Sequence, residues 1–156
     1  MIIEVCSRDE ASEILSSPEG RADVTFLVSI GGREDQPPHG YGSVERKLRL
    51  LFDDTTDQTG ATEDDVRRII DAARELPPGA GRVIIHCAAG ISRSAAAAVI
   101  FHAIRLGPGH EEDAVDRVME QRPIAMPNPR IIAIADQLLE LDGALVTAVK
   151  ARRHAI

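Results

Sequence analysis

Val83-Ile84-Ile85-His86-Cys87-Ala88-Ala89-Gly90-Ile91-Ser92-Arg93-Ser94 is the stretch on which the reading of this chain turns. Val83 to Ile85 is β-branched, and such a run reads as a buried strand. The residues after Ser94, as far as Leu106, are Ala-rich and apolar on every side, the mark of a buried helix. Between strand and helix lie residues small enough for the backbone to curl tightly. Successive N–H groups of such a turn point inward, and the start of the helix adds its positive dipole end, so the segment predicts an anion cradle. Cys87 stands at its edge, where a positive field favours the thiolate over the thiol. Arg93 closes the cradle with a planar fork that matches two oxygens of a phosphate. A thiolate beneath a bound phosphate is placed for in-line attack on phosphorus, with phosphocysteine as the expected intermediate.

Outward from this segment, strands alternate with helices. Met1 to Val5 reads as a strand, and Ser7 with Glu10 forms a capping box that opens a helix, ended by Pro18 and Gly20. Val24 to Ile30 is a second strand, bounded by Gly31 and Gly32, and Arg33 to Ser43 is a loop. Leu48 to Phe52 is a third strand that runs into the polar loop Asp53 to Gly60. Thr62 opens a helix with Val66, Ile69, Ile70 and Ala73 on one face, and Pro77-Pro78-Gly79 stops it. After Gly107-Pro108-Gly109 come an amphipathic helix over His110 to Gln121, another from Pro129 to about Leu141, and a short one over Gly143 to Arg153. The pattern predicts an α/β fold, a single domain over residues 1–156 with a central, mostly parallel sheet of about four to five strands flanked by helices.

Composition narrows the function. The 156 residues are 44% hydrophobic and 28% charged, with three Phe, one Tyr and no Trp, so the core must be aliphatic. A net charge of -7 argues against a general nucleic-acid binder, but leaves room for one local positive pocket. No apolar run approaches the ~20 residues of a membrane span. No secretory signal is visible at the start of the chain, and Cys6 and Cys87 are too few for a disulfide scaffold. These features predict a cytoplasmic protein with free thiols, no membrane partner, no cofactor and no metal. His39, His110 and His154 have no partner at metal-ligand spacing, and His102 reads as a packed core histidine.

The segment His86-Cys87, five residues, Arg93-Ser94 resembles the signature of the cysteine-dependent protein tyrosine phosphatases, and Ala89-Gly90-Ile91-Ser92-Arg93-Ser94 is similar to its dual-specificity branch. Leu50-Leu51-Phe52-Asp53-Asp54 looks like the family's strand leading to its general-acid loop. Arg122-Pro123-Ile124 with Pro127-Asn128, and then Gln137-Leu138-Leu139, resembles a stretch the family carries beyond the helix that follows the active site. The resemblance covers roughly residues 48 to 141. It implies a tyrosine phosphatase-like fold, with Cys87 as nucleophile and Arg93 as phosphate ligand. The amides of Ala88, Ala89, Gly90, Ile91, Ser92 and Arg93 would hold the other oxygens. Ser94 would hydrogen-bond the Cys87 sulfur and help it leave, His86 would order the loop, and Asn128 would brace it from outside. Asn128 read alone is also a helix cap.

A phenol has pKa near 10 and leaves poorly as its anion, so a carboxylic acid is required nearby. Asp53, Asp54 and Asp57 share one polar loop; the interval from Asp54 to Cys87 matches the family's spacing, and Asp53 is its rival. Cys6 reads as a buried strand cysteine, or as a disulfide partner for Cys87 under oxidation, and Tyr41 as a residue that could line the cleft. The expected activity is hydrolysis of phosphotyrosine, extending to phosphoserine and phosphothreonine. Inositol phosphates or phosphoinositides are the alternative substrates, though Ala88, Ala89, Ile91 and Ser92 add no cation for them. A phosphoprotein-binding module without catalysis is the second alternative, and it would not need Cys87, Arg93 and an acid together.

Overall fold

A computed structural model describes residues 1–154 of the chain, and side chains through Arg152. The elements in chain order are β1 (Ile2–Ser7), α1 (Arg8–Leu15), α2 (Pro18–Arg21), β2 (Val24–Gly31), β3 (Lys47–Leu51), α3 (Glu63–Glu75), β4 (Arg82–Cys87), α4 (Arg93–Leu106), α5 (Glu111–Gln121), α6 (Pro129–Leu138) and α7 (Ala144–His154). A one-turn 3₁₀ helix, Tyr41–Ser43, lies in the β2–β3 connection. The strands form one sheet in the order β1-β4-β2-β3, every pair parallel. This is an α/β fold at the lower end of the expected strand number.

The register aligns Ser7 with Cys87, Ser29 with His86 and Gly31 with Leu51. All four strands therefore end on one side of the sheet, and the loops that follow them converge there. In open parallel sheets the crevice at the carboxyl ends of the strands is where ligands bind.

Alternation along β4 separates two cores. Val83, Ile85 and Cys87 face a large aliphatic cluster that takes in Val66, Ile69 and Ile70 of α3, the buried alanines of α4, and residues of α5, α6 and α7. Ile84 faces a smaller cluster with Cys6, Leu27, Val44, and Ala11 and Leu15 of α1. Cys6 pairs in register with His86, one position away from Cys87, so the two cysteines belong to opposite faces of the sheet. Burial pushes the Cys6 thiol up to about 12. Both cysteines are free and buried, and the disulfide given as the alternative reading of Cys6 would require one strand to turn over.

The capping box read at Ser7 forms, with Glu10 reaching back to the cap N–H, and Thr62, read as a helix start, builds a second box with Asp65. Pro18 does not end α1, which stops at Leu15. It opens α2 instead, because Ser17 accepts from Gly20 N and a proline at the first helical position gives up no needed donor. Likewise α6 stops at Leu138 rather than near Leu141. Glu140 and Asp142 take positive φ, and the buried Asp136 carboxylate turns away to accept from the N–H groups of Gly143, Leu145 and Val146, which starts α7. Among the described residues no helix is long and apolar enough to cross a membrane.

Candidate active site

The loop from Cys87 to Arg93 is held from outside by its carbonyls. Cys87 O accepts from His86 Nδ1 at 3.1 Å. Ala88 O accepts from the backbone N–H of Arg8 at 3.2 Å. Arg122 holds the next two, Nη2 to Ala89 O at 3.1 Å and Nε to Gly90 O at 3.0 Å. Ile91 O accepts from Met126 N at 2.7 Å, and Ser92 O from Asn128 N at 3.1 Å and Ala96 N at 3.0 Å. A trans peptide aims its N–H opposite to its C=O, and the described chain has no cis bond. Six carbonyls tied outward therefore turn the N–H groups of residues 88 to 93 inward.

Gly90 makes the curl possible. Its φ is +69°, and its backbone lies so close to β1 that a Cβ would fall 2.5 Å from the Cys6 carbonyl carbon. Arg122 is itself anchored by the Glu10 carboxylate at 2.8 Å, and this contact, with the Ser7 N–H, holds the Glu10 carboxyl down to about 2.

Cys87 Sγ sits inside the ring of amides, buried, 3.0 Å from Ser94 Oγ. Burial alone would raise its thiol. The Ser94 hydroxyl and the N–H groups of Ser94, Gly90 and Ile91 outweigh that, and the net shift is downward. Arg93, also buried, donates from Nη1 to Phe52 O at 2.9 Å, while its buried Nε has no hydrogen-bond partner among the described residues. A buried guanidinium N–H without an acceptor is costly, and an oxyanion over the amide ring would supply one.

Arg93 also ties in the loop after β3, because Phe52 precedes the candidate acids. Asp54 Oδ1 accepts from Ser92 Oγ at 2.7 Å and from Asn128 Nδ2 at 2.8 Å, so this carboxylate lies against the cradle. Asp53 turns elsewhere, its Oδ1 toward Gly32 after β2. Asp57 is engaged by Thr59 and Thr55, whose hydrogen bonds hold its carboxyl below the ordinary range. Asn128 Oδ1 caps α6 through Arg130 N and Ile131 N, while Nδ2 holds Asp54 Oδ1 and Thr55 O in the loop after β3; it meets the phosphate-binding loop through its backbone N–H, on Ser92 O. Tyr41 lies apart from the cleft, packed on the smaller core with Lys47 Nζ 4.7 Å from its ring centre. His154 falls outside the described side chains.

No family model matches the chain. Over 142 residues, 83% of this chain, it is 38% identical to human protein phosphatase Slingshot homolog 3 and spans about a fifth (21%) of that protein's length. The structure of human DUSP28 superposes with a TM-score of 0.69 at 23% identity, covering 91% of this chain and 94% of that one. The chain has the dual-specificity phosphatase fold. The human tyrosine phosphatase-like serine/threonine/tyrosine-interacting protein shares it, with a TM-score of 0.64 at 20% identity over 87% of this chain and 91% of the other.

Within this phosphatase fold, sequence reasoning missed the outer holds. Arg122 reaches back to carbonyls 32 and 33 positions earlier, a distance that no local pattern encodes. Its only signal was that it belongs to the stretch resembling the family. Arg8 contributes through its backbone and leaves no signal in a side-chain reading.

Proposed function

We propose that residues 1–156 form one cysteine-dependent phosphatase domain that hydrolyses phosphotyrosine, and also phosphoserine and phosphothreonine, through a phosphocysteine. The observation that carries this reading is the loop itself. A thiol with lowered pKa sits at the focus of inward amides beside a buried arginine with an N–H to spare. A binding module would need the amides and the arginine, but not an acidified thiol with a hydroxyl 3.0 Å from its sulfur.

The amides of 88 to 93 and the Arg93 fork hold three phosphate oxygens, with phosphorus over Cys87 Sγ. The thiolate attacks, an S–P bond forms, and the P–O bond to the leaving group breaks. Asp54 gives its proton to the departing oxygen, which a phenol or an alcohol needs. Water then attacks phosphorus, Asp54 takes its proton, the S–P bond breaks, and the Ser94 hydroxyl stabilises the sulfur as it leaves. His86 and Asn128 support this machinery without touching substrate. The lowered thiol and the expected free cysteines suit a reducing, cytoplasmic setting.

The test is a turnover screen over phosphotyrosine, phosphoserine and phosphothreonine peptides, inositol phosphates and phosphoinositides. Cys87→Ser serves as control, and vanadate binding is measured in parallel. The expected result is turnover of phosphopeptides by the wild type, with Cys87→Ser inactive yet still binding the oxyanion. Turnover confined to inositol phosphates or phosphoinositides would move the substrate to that class. Full activity in Cys87→Ser would overturn the mechanism.

A further inference from the structure

One row of side chains crosses the sheet just below the active site, and of its four members only His86 takes part in the machinery above. Cys6, His86, Ser29 and Arg49 are register partners on β1, β4, β2 and β3 in turn, so all four belong to the same face. Ser29 and His86 are buried polar residues in strands whose other buried positions are apolar. Arg49 Nη1 donates to Ser29 Oγ at 2.7 Å, Ser29 Oγ lies 2.6 Å from His86 Nε2, and His86 Nδ1 lies 3.1 Å from Cys87 O.

The chemistry of these groups gives the row a direction. A carbonyl only accepts, so Nδ1 of His86 carries the hydrogen. In the neutral ring Nε2 then accepts, and the Ser29 hydroxyl must donate its one proton there. The Ser29 lone pairs are left for the Arg49 guanidinium. Every donor thus points from β3 toward the nucleophile's own peptide. Arg49 is aimed by its second nitrogen, since Nη2 donates to Asp35 O at 2.8 Å in the loop after β2.

We propose that Ser29 and Arg49 are positioning residues of the active site, forming with His86 a one-way hydrogen-bond relay that fixes the first peptide of the phosphate-binding loop and sets the reactivity of Cys87. The inference rests on reading Cys87 as the nucleophile. Holding Cys87 O outward aims the Ala88 N–H into the cradle. A cation at the far end polarises each donor in turn, which strengthens a chain of hydrogen bonds inside a protein. The relay requires a neutral imidazole. Burial, followed by the charges of Arg49 on β3, Arg8 on α1 and Arg93 on α4, pushes His86 down to about 4, and only the bond to Cys87 O opposes this. The ring is therefore neutral at neutral pH.

The pH dependence of Cys87 alkylation by iodoacetamide reads the relay without any assumption about turnover. Ser29→Ala and Arg49→Met should each raise the apparent thiol pKa by roughly half to one pH unit. The double variant should match the single ones, because both cut the same chain. Arg49→Lys, which keeps the charge and one donor, should recover part of the shift. Val28→Ala loosens the buried core of the same strand without touching the row, and it should leave the profile unchanged. On an aryl phosphate, the two relay variants should lower kcat with KM unchanged. The proposal is overturned if either relay variant alkylates with the wild-type profile, if the two shifts add, or if Val28→Ala produces the same shift. Should the wild type turn over no phosphoester while these shifts appear, the phosphatase reading fails and the relay stands.

Discussion

Replacing Gly90 with alanine tests the geometry of the loop without removing a single polar group. The added methyl meets three backbone atoms of β1, at 2.5 Å from Cys6 C, 2.6 Å from Ser7 N and 2.7 Å from Cys6 O. Carbon contacts settle near 3.5–4.0 Å, so the loop and β1 must part by about 1 Å. Backbone atoms in a parallel ladder cannot swing aside as a side chain could. Overpacking of this kind costs roughly 1–3 kcal/mol. Placing a residue with a Cβ at φ +69° adds about 1–2 kcal/mol. The sum, about 2–5 kcal/mol, is a large share of the ~5–15 kcal/mol of a typical domain. The functional loss should be larger than stability alone implies. Gly90 N–H and Ile91 N–H both acidify the Cys87 thiol, and a 1 Å misplacement of reacting groups costs on the order of 10² in rate. Urea denaturation gives the first number, and kcat/KM on an aryl phosphate below the unfolding range gives the second. Gly79→Ala is the control, since a Cβ there meets nothing within 4 Å. Wild-type stability and turnover in Gly90→Ala would refute the close approach of loop and strand, and with it the account of how the amides are aimed.

Asp54→Asn should slow hydrolysis of a phosphotyrosine peptide by about 10²–10⁴, yet barely affect an activated aryl phosphate. Asp53→Asn and Asp57→Asn should change both substrates modestly and equally, and leaving-group dependence appearing at Asp53 instead would move the acid by one residue. Arg93→Lys should lose roughly 10²–10³ in kcat/KM, because one amine cannot both hold Phe52 O and grip two phosphate oxygens; unchanged kinetics would exclude a bidentate arginine. Stability should fall on acidification between about pH 6.5 and 4. His86 and His102 are each depressed by burial to about 4, so the unfolded chain binds more protons than the native one throughout that window. Urea midpoints at pH 7 and pH 5 measure this drop, and His102→Gln should reduce it; a flat profile would place both rings in water. Glu10, held near 2, contributes stability above its ordinary range that is lost only at lower pH.

What could be read from the sequence was whatever the chain settles over a few residues. The capping pair Ser7–Glu10, the helix start at Thr62, the strand–loop–helix around Cys87, and the shared face of Val66, Ile69 and Ile70 are all of this kind. Asn128 was half legible. Its cap on α6 is local, whereas its bond to Asp54 spans 74 positions. Arg122, Asp136 and the Ser29–Arg49 row were not legible, because each acquires its partner only through the sheet register or helix packing. A serine inside Val24–Gly31 and an arginine inside Lys47–Leu51 look like ordinary strand residues until β2, β3 and β4 are laid side by side. Pro18 misled for a related reason, since proline both closes and opens helices, and Ser17 decided between the two.

The cradle is written in main-chain atoms and held by residues that lie outside it. The side chains of Ala88 and Ala89 are exposed, that of Ile91 is half-buried, and none of the three has a polar atom to contribute to the holds. The molecule thus keeps reacting and reading in separate alphabets. Positions 88, 89 and 91 can be recoded with charge, bulk or aromatic rings to select among phosphoesters while the amides keep their aim. Gly90, wedged between them, cannot. A small library at those three positions would search substrate preference over a constant chemistry, and it would keep the same thiol beneath every variant.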